Sequence, residues 1–231
     1  MKGGIFELKA VWKIYSMKGV ETHALRGINL KIKKGEYTAI LGPSGSGKST
    51  LMHVMGCLDT PTKGSVFVEG REVSEMNDDE LAKIRREKIG FVFQAYNLIP
   101  GLTAIENVAL PMRFNGHGRS ESHRRGKELL RKVGLKERMT HKPNELSGGE
   151  QQRVAIARSL VNDPDVIMAD EPTGNLDTKS GREIMELMES LHKKTRKTII
   201  IVTHDIRLAK LAYREIKMLD GRIVDDGKIV D

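Results

Sequence analysis

Apolar and polar positions along the chain fall into two textures. Residues 6–12 alternate as a half-buried strand does, and that pattern ends at Tyr15. Residues 24–32 alternate towards their end and turn at Lys34-Gly35. Residues 65–68 follow Lys63-Gly64 and leave through Glu69-Gly70. These segments predict antiparallel strands. Elsewhere the apolar runs are unbroken, at residues 38–41, 89–93, 166–169 and 199–202. Such runs alternating with helices predict a parallel sheet covered on both faces. Helices are expected after residue 50, from the capping pair Asn77 and Glu80 to Arg86, over 183–193 and over 206–213. In the 183–193 helix Ile184, Leu187, Met188 and Leu191 share a face. Between residues 97 and 162 the texture becomes helical, with Pro100, Pro111 and Pro143 as punctuation and 115–125 as a polar loop. That stretch reads as an insertion.

The stretch Gly42-Pro43-Ser44-Gly45-Ser46-Gly47-Lys48-Ser49-Thr50 lies between an apolar strand and a helix. Strand, glycine loop and helix are the context of a phosphate-binding loop. Its glycines let backbone N–H groups converge on an anion, and the helix adds its positive end. Lys48 supplies charge to terminal phosphates and the Ser49 hydroxyl a ligand for magnesium.

Composition narrows the class further. The 231 residues are 39% hydrophobic and 30% charged, as in a globular protein, and hold no apolar run able to cross a bilayer. The opening Met1-Lys2-Gly3-Gly4-Ile5 reads as lacking a signal peptide, and Cys57, the one cysteine, as a small core residue of an intracellular protein. A net charge of +8 admits nucleic acid, an anionic membrane surface or nucleotide phosphates as partners. At 4%, aromatic residues are too few for a stacking platform on single strands.

Two more motifs make the nucleotide site specific. Residues 166–169 run into Asp170-Glu171, so a buried strand would deliver a magnesium carboxylate to the sheet edge, with Glu171 beside it facing a water. Ser147 and Glu150 form a capping box, which leaves Gly148-Gly149 unexplained unless an anion approaches the backbone there. Two phosphate-binding helix starts do not readily serve one ATP within one compact chain; a neighbouring copy can supply the second.

With these motifs in place the whole chain resembles the ATP-binding cassette family, the nucleotide-binding subunits of ABC transporters. The phosphate loop, Gln94, the 146–151 signature, Asp170-Glu171, Asn175-Leu176-Asp177 and His204 occur in the family's order. The phrases Gly56-Cys57-Leu58-Asp59 with Pro61-Thr62, 147–158 and 170–177 are similar to the lipoprotein-releasing and macrolide-export group. The resemblance implies an α/β fold: a P-loop NTPase core with a mostly parallel sheet, an N-terminal antiparallel β subdomain and an inserted α-helical subdomain. Residues 1–95 and 163–231 would form the core and 96–162 the helical part.

It also implies roles. Tyr15 would stack on adenine, Gln94 contact magnesium and the attacking water, Glu171 act as general base, His204 touch the γ-phosphate and Asp177 communicate across a dimer. Lys48 joins the catalytic set; Ser49, Gln94 and Asp170 hold Mg²⁺; Ser147, Gly148, Gly149 and Glu150 belong to the ATP site. ATP would lie in a head-to-tail homodimer, on the cytoplasmic face of a membrane beside a separate transmembrane permease. No nucleic acid is expected. The alternatives are a chromosome-maintenance or DNA-repair ATPase, disfavoured by the lack of a sustained heptad pattern, and a ribosome-associated ATPase, disfavoured by the single cassette. A small kinase or GTPase would leave residues 146–151 without a purpose.

Overall fold

A computed structural model of the chain describes residues 4–17 and 19–228. Residues 1–3, part of the opening stretch read for a signal peptide, lie outside the described residues. The antiparallel strands are β1 (Gly4–Met17), β2 (Val20–Lys33), β4 (Lys63–Val68) and the short β5 (Arg71–Glu72), joined in the order β2-β1-β4-β5. The large sheet contains β3 (Tyr37–Leu41), β6 (Ile89–Val92), β7 (Val166–Asp170), β8 (Thr198–Thr203), β9 (Arg214–Leu219) and β10 (Arg222–Lys228). Its order is β10-β9-β3-β8-β7-β6, parallel throughout except for the β9–β10 hairpin.

The unbroken apolar runs follow from this placement. Ile199 and Ile201 enter one core cluster while Ile200 and Val202 enter another, and Ile167 and Ala169 part from Val166 and Met168 in the same way. A strand covered on both faces has no polar side to show. Helices α1 (Lys48–Met55) and α2 (Asp78–Lys88) precede β6. Helices α3 (Ala104–Phe114), α4 (Arg119–Lys132) and α5 (Gly148–Ser159) lie between β6 and β7, and α6 (Thr178–Thr195) and α7 (Ile206–Ala209) follow. The Asn77–Glu80 capping box is present. Cys57 is buried, and burial pushes its thiol up to about 11.

Several expectations are corrected. The expected loop over 115–125 is helical from Arg119. The buried face of α4 is Ser122, Gly126, Leu129 and Leu130, so helical spacing is carried partly by residues that are not hydrophobic. Gly126 lets α3 come close, since a Cβ there would stand 3.3 Å from Ile105 Cγ1, and Ser122 Oγ donates back to the Gly118 carbonyl at 2.9 Å. Pro111 lies inside α3 rather than at its end; the packing of Val108, Ala109 and Met112 outweighs one missing hydrogen bond. The helix expected over 206–213 stops at Ala209, because by Tyr213 the backbone is already bonded to the Tyr37 carbonyl on the way into β9. Strand β9 went unread, although Ile216 and Met218 alternate with Glu215 and Lys217.

Candidate nucleotide-binding site

Sheet register assembles the site. Leu41 lies opposite Thr203 and Asp170 opposite Val202. The first residues beyond three adjacent strands are therefore Gly42, Glu171 and His204, together at the carboxyl edge where open α/β sheets hold ligands.

Close backbone approach shapes the loop. A Cβ on Gly42 would run into the Met218 carbonyl, and one on Gly47 into that of Ala24. Gly47, with φ 96°, caps α1 without a side-chain hydrogen bond, and the first turn of α1 holds no acidic residue. The leading N–H groups and positive end of this helix thus have no competing side-chain partner, as a phosphate requires. Pro43, Ser44 and Gly45 are exposed at the tip, while the Ser46 side chain is buried beneath it. Lys48 is buried and donates from Nζ to the Pro43 carbonyl at 2.8 Å. Burial pushes its pKa down, opposed by Glu171 and Asp170. Thr50 follows within α1.

Ser49 Oγ donates to Asp170 Oδ1 at 3.2 Å. Two adjacent ligands of octahedral magnesium stand about 3 Å apart, and both donors are hard oxygens, so the pair fits that ion. Burial raises the pKa of Asp170, the Glu171 charge adding to the rise, so ionised Asp170 costs stability. That cost is absent below the ordinary carboxylate pKa, about 4, and grows as pH rises through the elevated value. Asp170→Asn keeps the oxygen that accepts from Ser49. The ligand-free variant should melt above the wild type at pH 8, with the gap closing as pH falls towards about 4. A variant that melts lower at pH 8 would contradict this.

Glu171 has a left-handed backbone, φ 44°, uncommon for any residue that carries a Cβ, and its N–H donates to the Val202 carbonyl at 2.9 Å. Its Oε1 lies 2.8 Å from His204 Nδ1. The two residues predicted to flank the terminal phosphate are therefore in contact. Gln94 sits two residues beyond β6 with its amide on Asn175: Nε2 donates to Asn175 Oδ1 at 3.2 Å, and Asn175 Nδ2 returns a bond to the Gln94 carbonyl at 3.0 Å. Among the described hydrogen bonds it makes none to Ser49 or Asp170. Asn175, unassigned in the sequence reading beyond its motif, is what holds Gln94.

The signature forms a separate element. Ser147 is the exposed N-cap of α5, and its capping box with Glu150 is reciprocal. Arg138 bonds Glu150 at 3.0 Å. Gly148 has a reason within the chain, since a Cβ there would come to 2.9 Å from Tyr96 Oη and 3.2 Å from Leu176 Cδ2, whereas one on Gly149 would meet only ordinary contact, 3.4 Å from Ser180 Cβ. Asp177 caps α6, accepting from the N–H groups of Lys179 and Ser180 at 3.0 Å each. Tyr15, 38% exposed at the end of β1, donates its hydroxyl to Asp59 at 2.8 Å.

Fold and site together define a phosphate-loop nucleotide-binding protein with a magnesium-type hydroxyl–carboxylate pair. Comparison with known proteins narrows the class. A family model described as ABC transporter matches residues 25–174. An uncharacterized ABC transporter ATP-binding protein of Thermotoga maritima is 57% identical over 219 residues, 95% of this chain and 93% of that protein. The macrolide export ATP-binding/permease protein MacB of Bdellovibrio bacteriovorus is 49% identical over 97% of this chain, which spans only 34% of MacB. A dimeric post-hydrolysis structure of the ATP-binding cassette MJ0796 of Methanocaldococcus jannaschii, bound to ADP and Pi, superposes with TM-score 0.90. It is 48% identical, covering 98% of this chain and 99% of that one. The chain belongs to the ABC transporter family, as an ATP-binding cassette.

Proposed function

We propose that the chain is the ATP-hydrolysing subunit of an exporter of the macrolide-export or lipoprotein-release type. It works as a head-to-tail homodimer on the cytoplasmic face of a membrane, beside a separate permease. The observation that carries this reading is the separation of two phosphate-suited elements. The nearest side chains around Gly148 and Gly149 are Tyr96, Leu176 and Ser180, none of them from the 42–50 loop. An exposed helix start with a free approach, far from its own chain's loop in contacts, is suited to ATP held by another copy.

Each ATP then lies between residues 42–50 of one copy and Ser147, Gly148 and Gly149 of its partner. The loop's N–H groups and Lys48 offset phosphate charge. Ser49 and Asp170 would hold magnesium, which would supply further stabilisation of the phosphate charge. Glu171 takes a proton from the water as its oxygen bonds to the γ-phosphorus and the bond to the ADP oxygen breaks. His204 holds Glu171 in place and Gln94, carried on Asn175, faces the water. Residues 96–162 act as the helical part that couples this chemistry to the permease.

Among the described residues no helix is long and apolar enough to cross a membrane, and in this reading the permease supplies the membrane path. Its docking surface is supported by a groove of about 710 Å³ between β6 and α3, lined by Leu58, Phe91, Phe93, Pro111 and Phe114. Phe91 and Phe93 stack in it, and Phe114 is 73% exposed. Exposed aromatic residues beside a cleft mark partner surfaces.

Turnover tests the two-copy site directly. Phosphate release per chain should rise with protein concentration until dimers dominate, and then level off. A rate per chain constant from dilute monomer to saturated dimer would sink this reading.

A further inference from the structure

We propose that Asp59 is a positioning residue for the nucleotide base: with Lys13 it locks the Tyr15 ring at a fixed distance from the phosphate loop. The proposal rests on Tyr15 being the base platform.

Three observations lead to it. First, β1 is bare on its β4 side where Tyr15 sits, because its last pair with β4 is Trp12 with Lys63. The segment leaving α1 fills that side: Thr62 N donates to the Trp12 carbonyl at 2.7 Å, and Ile14 N to Thr62 Oγ1 at 3.0 Å. Second, that segment is tied to the phosphate-loop helix, since Leu58 N and Asp59 N both donate to the His53 carbonyl, at 2.9 and 3.3 Å. Third, Asp59 reaches from there to Tyr15. Its Oδ2 accepts the Tyr15 hydroxyl at 2.8 Å, while Oδ1 accepts Lys13 Nζ at 2.5 Å and Thr60 N at 2.8 Å.

Lys13 is consumed by this arrangement. Its side chain is 12% exposed, and Nζ also donates to the Thr60 carbonyl at 2.8 Å. It lies over the Tyr15 ring, 5.0 Å from the centroid. An ammonium so held cannot reach phosphates; it covers one ring face and leaves the other to a base. Burial pushes the Asp59 pKa up, but the bonds from Lys13 and Tyr15 outweigh it and hold the carboxyl below its ordinary value, so the acceptor is charged at neutral pH.

A chain of hydrogen bonds therefore runs from Tyr15 through Asp59 to the helix that starts at Lys48. Its effect is preorganisation. A tyrosine ordered only on binding weakens a ligand by about two- to tenfold relative to one held beforehand. A ligand without a base does not feel this.

Affinities of the full-length chain for ATP and for inorganic tripolyphosphate, with KM and kcat for ATP, make the test. Tyr15→Phe, which keeps the ring, and Asp59→Ala should each weaken ATP by about three- to tenfold, through KM rather than kcat. Tripolyphosphate should change less than about twofold. The double variant should be no worse than about twofold beyond either single one, because both remove the same bond. Asp59→Asn, whose side chain still bonds a hydroxyl, should recover most of the affinity. If Tyr15→Ala selectively weakens ATP while Tyr15→Phe binds like the wild type, the platform stands and the positioning proposal is overturned. If Asp59→Ala weakens both ligands equally, Asp59 is merely structural, which overturns it as well. If even Tyr15→Ala leaves the ratio of the two ligands unchanged, the platform reading itself fails.

Discussion

Glu171→Gln keeps ATP binding intact, lowers phosphate release by roughly 10²–10⁴-fold, and collects ATP-bound dimers on a sizing column. The geometry makes this a clean substitution. The left-handed backbone of Glu171 is imposed by its N–H bond to Val202 and by the turn out of β7, and glutamine meets the same constraint at no added cost. The amide oxygen can still accept from His204 Nδ1, so the 2.8 Å contact survives in the variant. Lys48, Ser49 and Asp170 are untouched, and with them the grip on the phosphates. On the proposed mechanism, only the lone pair that takes the water's proton is lost. Binding energy that joins two copies around ATP then has no exit, so the closed form builds up. Phosphate release near the wild-type rate would place the base elsewhere. An inactive variant without dimer accumulation would leave Glu171 as the base but remove ATP as the agent of closure.

The parts of this site that lie on strand ends were legible because burial on both sheet faces leaves a distinctive mark in the chain. Residues 166–169 and 199–202 are apolar without interruption, so the next residues had to lie at an edge, and register then brings Glu171 to His204. The phosphate loop was legible for a local reason, glycines where backbones meet. What escaped notice depends on partners distant in sequence. Helix α4 hides its inner face partly in Ser122, which bonds back to the Gly118 carbonyl, and in Gly126, whose role exists only against Ile105. In the sequence Gly148 answers an anion's requirement alone, yet Tyr96, 52 positions earlier, also crowds a Cβ there. Likewise Asp59 reads as a turn residue until β1 is laid beside it, and Asn175 until β6 brings Gln94 within reach.

The largest remaining effect concerns which copy owns the second half of the site. Ser147→Asp should fold and bind ATP normally but lose turnover by about 10²-fold or more. Aspartate caps a helix as well as serine does, so its carboxylate can accept the Glu150 N–H that Ser147 Oγ accepts at 3.2 Å, and a negative charge suits that helix end. The neighbouring Glu150 is already paired with Arg138 at 3.0 Å. The monomer is thus undisturbed, while a phosphate arriving from another copy meets a like charge. Lys48→Ala should also be inactive, for the opposite reason: its phosphate loop is disabled and its signature intact. Mixed, the two inactive proteins form heterodimers in which one site pairs the sound loop of the first with the sound signature of the second. Random pairing makes about half the dimers mixed, each with one of two sites whole, so activity should return to at most about a quarter of the wild-type rate per chain. If Ser147 served the ATP of its own chain, no pairing could bring the two sound halves together, and the mixture would stay as inactive as its parts.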